Sequence, residues 1–210
     1  IVIDVDGKIG RVVNKAPGQI KFNTIIKGKS AHAGMEPEKG VNAIKIASHA
    51  ISDMNLGRLD DETTANIGVI RGGSASNVVP DLVELEGEVR SHNEDKLCKQ
   101  AEEMKKSIVK YTNKLNGEAE FDIEQTYNHF EIKKSEKIIQ LAKKGAQKSN
   151  IKFELGDSGG GSDANVFNLN GVPTINLGSA MENVHSTEER VKISNMVKLT
   201  EYLINIIRSF

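Results

Sequence analysis

The order of predicted strands and helices between residues 19 and 126 restricts the possible folds more than any other feature. Alternating and β-branched residues predict strands at 19–27, 63–70, 82–90 and 118–126. Helical spacing of apolar residues predicts one helix over 41–54 and a second behind Ser91. The resulting order, β-α-β-β-α-β, is typical of the ferredoxin-like fold, in which two helices cover one face of an antiparallel sheet.

The second of these helices has the clearest amphipathic pattern in the chain. Ser91 and Glu94 have the spacing of a capping box, which predicts the helix start. Asn116-Gly117 is a typical C-terminal signal. The apolar positions between these signals recur in steps of four and three residues: Leu97, Ala101, Met104, Ile108, Tyr111 and Leu115.

The pattern changes after about residue 132, where helices and strands alternate. Helices are predicted at 135–147, just after Asp163, and from Ser194, which can cap the last one. That last helix is expected to face inward with Met196, Val197, Leu203 and Ile207. Strands are predicted at 151–155 and 173–177. This alternation indicates part of a three-layer α/β domain with a parallel sheet.

Two strands cannot complete such a sheet, so we expect the remainder to lie N-terminal to Ile1. The opening run Ile1-Val2-Ile3 supports this expectation, because it has the pattern of the end of a strand. We therefore expect a fragment of a longer protein.

Charge and cysteine content limit the possible partners and compartment. The formal net charge of -1 carries no footprint of a nucleic-acid-binding protein. No apolar run reaches the ~18 residues of a membrane span. The single cysteine, Cys98, excludes a disulfide framework within the chain and makes a cytoplasmic setting the default expectation.

Five short motifs occur in order along the chain: Lys29-Ser30-Ala31-His32-Ala33-Gly34, Gly72-Gly73 with Asn77-Val78-Val79-Pro80-Asp81, Arg90, Gly160-Gly161-Ser162-Asp163-Ala164 and His185-Ser186-Thr187-Glu188. Together they resemble the co-catalytic zinc exopeptidases, which include peptidase T, carnosinases and aminoacylases. The resemblance covers nearly the whole chain and is closest to the peptidase T-like tripeptidases.

The resemblance implies an α/β zinc-exopeptidase catalytic domain with an inserted ferredoxin-like lid that also dimerises. The catalytic part would comprise residues 1–17 and 131–210, and the lid residues 18–130. It further implies a homodimer, two Zn²⁺ ions per intact subunit and a short peptide as substrate.

Two residues match the metal ligands of that family. His185 resembles the last zinc ligand, with Glu188 able to orient it, although a surface-loop histidine is the plain alternative. Asp4 matches the apolar-apolar-Asp end of a strand; Asp6 is the alternative ligand, and Asp6-Gly7 is also a common turn. The family's His-x-Asp pair, bridging Asp and Glu-Glu pair have no counterpart in suitable contexts, and we expect them before Ile1.

Three further residues match positions that act on the substrate. His32 resembles the lid histidine that reaches a partner's active site and donates a hydrogen bond to the developing oxyanion. Asn77 and Arg90 resemble residues that hold the substrate carboxylate. The alternatives are an ordinary loop histidine, a turn asparagine and an exposed arginine at a strand end.

The glycine-rich loop before Ala164 is not a P-loop, because no Lys-Ser or Lys-Thr follows its glycines. By resemblance, the backbone amides of Gly160, Gly161, Ser162 and Asp163 bind substrate beside the metals. Gly159 stands where peptidase T carries an arginine. The simpler alternative is a turn in which Ser162 or Asp163 caps the next helix.

The sequence thus predicts a zinc-dependent exopeptidase that cleaves short peptides at their N-terminus, with the fragment alone inactive. Two alternatives remain open. The same scaffold could hydrolyse N-acyl amino acids, or the chain could be a dimerisation or binding module without chemistry.

Overall fold

The computed structural model describes all 210 residues and divides them into two compact units. The inserted unit is Gly18–Thr126, and the flanking unit combines Ile1–Pro17 with Tyr127–Phe210. The second crossing between units thus falls at 126/127, whereas the predicted boundary was 130/131.

Ten strands and five helices make up the two units. The strands are β1 (Val2–Val5), β2 (Arg11–Ala16), β3 (Gly18–Lys27), β4 (Gly57–Arg58), β5 (Thr63–Gly72), β6 (Leu82–Ser91), β7 (Glu118–Tyr127), β8 (Phe130–Glu131), β9 (Glu154–Asp157) and β10 (Asn176–Gly178). The helices are α1 (Ala43–Asp53), α2 (Glu94–Lys114), α3 (Lys137–Lys148), α4 (Asp163–Leu169) and α5 (Ile193–Ile207). None of the five has the length and apolar character that crossing a membrane requires.

The inserted unit has the predicted ferredoxin-like order of elements, with the short strand β4 added at one edge. Its sheet runs β4-β5-β6-β3-β7. Antiparallel pairing joins β3 to β6 from Gly18 opposite Ser91 to Lys27 opposite Leu82. The inward side chains of the strands and of α1 and α2 form one apolar core that includes Phe22, Leu85 and Leu97. Burying each large side chain contributes about 1.5–3 kcal/mol.

The start of α2 differs from the prediction, because Asn93 and not Ser91 is its N-cap. Asn93 Oδ1 accepts a hydrogen bond from the Lys96 amide at 3.1 Å. Ser91 is instead the buried last residue of β6, and its hydroxyl is bonded to that of Thr63 at 3.0 Å. The strand extends one residue further than predicted, so capping falls to the residue directly before Glu94.

The sheet of the flanking unit is mixed, so the prediction of a parallel sheet was wrong. β1 is parallel to β10, and β2 is parallel to β9. However, β2 runs antiparallel to both β10 and β8. The predicted strands at 151–155 and 173–177 begin later than expected, at Glu154 and Asn176.

The inward face of α5 also differs from the prediction. Leu203 packs against the core as predicted, partly buried. Leu199, Tyr202 and Ile206 are buried, whereas Met196, Val197 and Ile207 are exposed. The helix begins after Lys192, without a side-chain cap.

Close packing on α3 selects this face of α5. A Cβ on Gly145 would lie 2.5 Å from the Ile206 side chain, so only glycine permits this approach. The Tyr202 hydroxyl donates to the Ala142 carbonyl at 3.0 Å. Neither contact can be inferred from helical spacing within α5 alone.

Replacing Thr24 with valine should stabilise the protein. Thr24 is 3% exposed in the inserted core, and its hydroxyl has no hydrogen-bond partner. Removing a buried unsatisfied hydroxyl should raise the free energy of unfolding by about 1 kcal/mol, measured by urea denaturation.

Thr112→Val is the matched control. This hydroxyl is equally buried but donates to the carbonyls of Ile108 and Val109 at 3.1 and 3.0 Å. Its loss should leave stability unchanged or lower it. An equal gain from both variants would contradict the assignment of Thr24 as an orphaned polar group.

Candidate active site

Asp4 lies near the carboxyl end of β1, and the loop that carries His185 follows the carboxyl end of the neighbouring strand β10. β1 and β10 are parallel neighbours, with Val5 opposite Gly178. The Ser179 amide donates to the Val5 carbonyl at 3.0 Å, so the register continues past the end of β10. The carboxyl ends of adjacent parallel strands are where ligand sites of α/β sheets gather.

The Asp4 carboxylate and the His185 ring are both exposed, and neither makes a hydrogen bond or ion pair within the chain. The Asp4 amide donates to Asn176 Oδ1 at 2.8 Å, which fixes the backbone and leaves the carboxylate uncommitted. His185 has a φ of 64°, a left-handed conformation that is uncommon outside glycine.

A carboxylate, Glu189, holds the backbone of the His185 loop. Its Oε2 accepts from the His185 amide at 2.9 Å. The sequence had suggested Glu188 for this supporting role. Antiparallel bonds between Glu182 and Arg190 close the base of the same loop.

Asp6, the alternative ligand, is already engaged. Its carboxylate lies 3.2 Å from the guanidinium of Arg11. Arg11 also donates to the Asp157 carbonyl at 3.1 Å. Gly7 follows with a φ of +98°, as the turn alternative requires. This geometry favours Asp4 over Asp6 as a metal ligand.

The donors at this edge fit part of a zinc site. Zn²⁺ accepts carboxylate oxygen and imidazole nitrogen, and catalytic sites use three protein ligands with a water in the fourth position. No group of three or more His, Cys, Asp or Glu side chains in the chain could hold a metal ion. A zinc site that used Asp4 and His185 would therefore need ligands from outside these 210 residues.

The ring of His32 is held in one tautomer by its own loop. Its Nδ1 accepts hydrogen bonds from the amides of Gly34 and Met35 at 3.1 and 3.2 Å. An accepting Nδ1 carries no proton, so the neutral ring has its hydrogen on Nε2. The exposed ring therefore presents a defined N–H donor.

The structure brings His32 and Asn77 together but places Arg90 elsewhere. His32 forms an isolated antiparallel bridge with Val78, and the Ala33 amide donates to the Asn77 carbonyl at 2.9 Å. Arg90 lies eight residues beyond the start of β6 at Leu82. At ~3.4 Å per residue, Arg90 is roughly 27 Å from Leu82, the end of β6 that is nearer to Asn77 in sequence. Asn77 and Arg90 of one chain are therefore not in contact.

Three of the four predicted amides of the glycine-rich loop already have acceptors within the chain. Gly160 donates to Ser158 Oγ at 3.1 Å, Gly161 to the Tyr127 hydroxyl at 3.3 Å, and Ser162 to Asn165 Oδ1 at 2.9 Å. These amides can serve a substrate only if those bonds exchange.

The same loop is shaped by a helix cap and by the lack of a side chain at Gly161. Ser162 caps α4 in a capping box with Asn165, and Asp163 is the exposed first residue of the helix. A Cβ on Gly161 would lie 2.2 Å from the Tyr127 ring, which explains the glycine there.

Asn165 is a supporting residue that the sequence analysis did not identify. It is 1% exposed, and its Nδ2 donates to the carbonyls of Pro17 and Asn128 at 3.0 and 2.8 Å. One side chain thus ties the loop to both segments that lead to the inserted unit. Asn165 lies three residues after Ser162, which is the spacing of a capping box, and this spacing could have identified it from the sequence.

Comparison with known proteins places the chain in a family. Residues 14–120, about half of the chain, match the model of the M20 peptidase dimerisation domain. The chain therefore belongs to the M20 dimerisation-domain family.

Several relatives resemble nearly all of the chain. The uncharacterized protein YqjE of Bacillus subtilis is 44% identical over 98% of the chain. The crystal structure of aminopeptidase PepT from Bacillus cereus matches 99% of it, with a TM-score of 0.91 and 42% identity. A Staphylococcus aureus tripeptidase matches 98%, with a TM-score of 0.94 and 39% identity.

These matches confirm the predicted fold class, part of an α/β domain with a ferredoxin-like insert. The chain spans 55% of YqjE, 56% of the PepT chain and 55% of the tripeptidase chain, about half the length of each.

The tautomer of His32 can be tested by nitrogen NMR on labelled protein. In the neutral ring, Nε2 should carry the proton almost exclusively, because two amides donate to Nδ1. His185, whose ring makes no hydrogen bond, is the internal control and should show a mixture of tautomers. A protonated Nδ1 in neutral His32 would contradict the assigned donor.

Proposed function

We propose that this chain provides the lid and part of the catalytic domain of a zinc-dependent exopeptidase that hydrolyses short peptides. The observation that carries the proposal is that Asp4 and the loop leading to His185 lie at the carboxyl ends of two neighbouring parallel strands, and that neither side chain has a partner within the chain. The high similarity to a PepT aminopeptidase and a tripeptidase supports the choice of substrate.

Asp4 and His185 would hold zinc together with ligands outside this chain. Bound zinc would lower the pKa of a water and polarise the peptide carbonyl.

His32 would act on the oxyanion that forms as the carbonyl is attacked. Its Nε2–H is fixed as a donor before substrate arrives, so no reorganisation is needed at the moment of reaction. In the proposed homodimer, His32 and the adjacent Asn77 would serve the partner subunit's site. The description of the matched family as a dimerisation domain supports that assembly.

Arg90 would bind the substrate carboxylate through its planar guanidinium. Asn77 would donate to the substrate separately, since the two lie at opposite ends of β6 in one chain. The loop of Gly160, Gly161, Ser162 and Asp163 would flank the substrate. Gly159 stands at the position where peptidase T has an arginine, so that arginine would not contribute to substrate binding in this chain.

Much of the exposed apolar surface belongs to the flanking unit. We propose that this surface packs against the further catalytic-domain polypeptide of the whole enzyme, and that the 210 residues alone are inactive. Exposed patches of this kind usually mark contact surfaces. The exposed side chains include Ile1, Ile3, Val166, Phe167, Ile193, Met196, Val197 and Ile207.

We also propose a cytoplasmic setting for the enzyme. The only cysteine, Cys98, is free, so the fold uses no disulfide.

Asp4→Asn in the full-length enzyme tests the proposal. We expect reduced bound zinc, measured by elemental analysis, and a loss of tripeptide turnover greater than ~100-fold, since even outer-shell changes cost 10–100-fold. Asp6→Asn is the matched control and should retain activity within about threefold, because it loses only an exposed ion pair.

A substrate panel separates the alternatives. Tripeptides should be cleaved, and N-acyl amino acids should not; the reverse result would favour the amidohydrolase. Turnover by the 210 residues alone would overturn the assignment of an incomplete site. No hydrolysis by the zinc-loaded full-length protein would favour a binding module.

A further inference from the structure

The guanidinium of Arg90 donates two hydrogen bonds along one edge to the carboxylate of Glu88. Arg90 Nε donates to Glu88 Oε1 at 2.9 Å, and Nη2 donates to Oε2 at 3.0 Å. The two parallel bonds form the bidentate arrangement that gives arginine–carboxylate pairs a defined plane. Both side chains are partly exposed, at 29% and 37%.

Glu88 is itself held by a second residue. Gln19 Nε2 donates to Glu88 Oε2 at 2.5 Å, and Gln19 is 7% exposed. The hydrogen bond from Arg90 is the main cause of a lowered pKa for Glu88, and the bond from Gln19 adds to it. Glu88 therefore stays ionised and fixed at neutral pH.

The sheet register brings these three residues to one face. Glu88 and Arg90 are two residues apart on β6, so their side chains leave the same side. Gln19 lies directly opposite Arg90 on β3. The intervening Val89 is fully buried on the other face.

The bidentate pair with Glu88 restricts how a second carboxylate can bind to Arg90. A guanidinium offers one bidentate edge through Nε and Nη2 and another through Nη1 and Nη2. Glu88 takes the edge formed by Nε and Nη2. Glu88 sets the plane of the guanidinium, and the hydrogen bond from Gln19 in turn fixes the position of the Glu88 carboxylate.

We propose that Glu88, supported by Gln19, is a positioning residue that orients Arg90 for the substrate carboxylate. The inference rests on the proposed function of Arg90. Glu88 does not touch substrate; it fixes the plane and direction of the group that does. Losing it should therefore weaken substrate binding and leave the chemical step unchanged.

The test is the preference of the full-length zinc enzyme for tripeptides with a free C-terminal carboxylate over their C-terminal amides. Glu88→Gln removes one acceptor of the bidentate pair. We expect KM for the free tripeptide to rise about tenfold with kcat nearly unchanged, and the preference over the amide to fall by the same factor.

Glu86→Gln is the matched control. Glu86 is on the same face of β6 and forms an ion pair with Arg71, which has no proposed contact with substrate. It should leave KM unchanged. A similar rise in KM in both variants would show a general charge effect and would overturn the positioning role.

Two further variants keep the outcomes distinct. Arg90→Ala should abolish the preference; if it does not, the proposed role of Arg90 fails. If Arg90→Ala abolishes the preference but Glu88→Gln retains it, only the positioning role is overturned. Gln19→Met, which keeps Glu88, should give a smaller rise in KM and serves if Glu88→Gln does not fold.

Discussion

The parallel pairing of β1 with β10 is the constraint on which the proposed metal site depends. It joins two segments more than 170 residues apart in sequence through backbone bonds such as Val2 N to Ile175 O at 2.9 Å. The buried Asn176 strengthens the pair, because its side chain accepts from the Asp4 amide. Asp4 and the His185 loop share an edge of the sheet only because this pairing exists.

Register has the same importance in the inserted unit. The bridge of His32 to Val78 places the His32 backbone next to the Asn77 segment, whereas Arg90 lies near the far end of β6. Opposite it on β3, Gln19 completes the support of Glu88. One sheet thus presents two separate groups of polar residues at its two ends.

The fold could be predicted where the signal was local. Alternation and helical spacing were sufficient for the four long strands and two helices of the inserted unit, whereas the two-residue strand β4 was not predicted. The flanking unit depends on pairings distant in sequence: β2 and β8 are short strands whose partners a local pattern does not reveal. The direction of β2 made the sheet mixed, and the contact of Gly145 with Ile206 turned α5 to another face.

The residues of the candidate site remain predictions. His32 and His185 were chosen from short motifs, and Asp4 from the end of a predicted strand, so each choice rests on neighbours that are local in the sequence. The residues that hold these candidates in place could be identified only in the three-dimensional structure. Glu189, and not Glu188, accepts the hydrogen bond of the His185 amide, and Asn165 and Glu88 bind Pro17 and Gln19, which are distant in sequence.

A crystal structure of the zinc-loaded full-length protein, with anomalous maps recorded at the zinc edge, would test the proposed metal site directly. We predict a metal peak within bonding distance of the Asp4 carboxylate and another, or the same one, at the His185 ring. Metal peaks that involve neither side chain would contradict it.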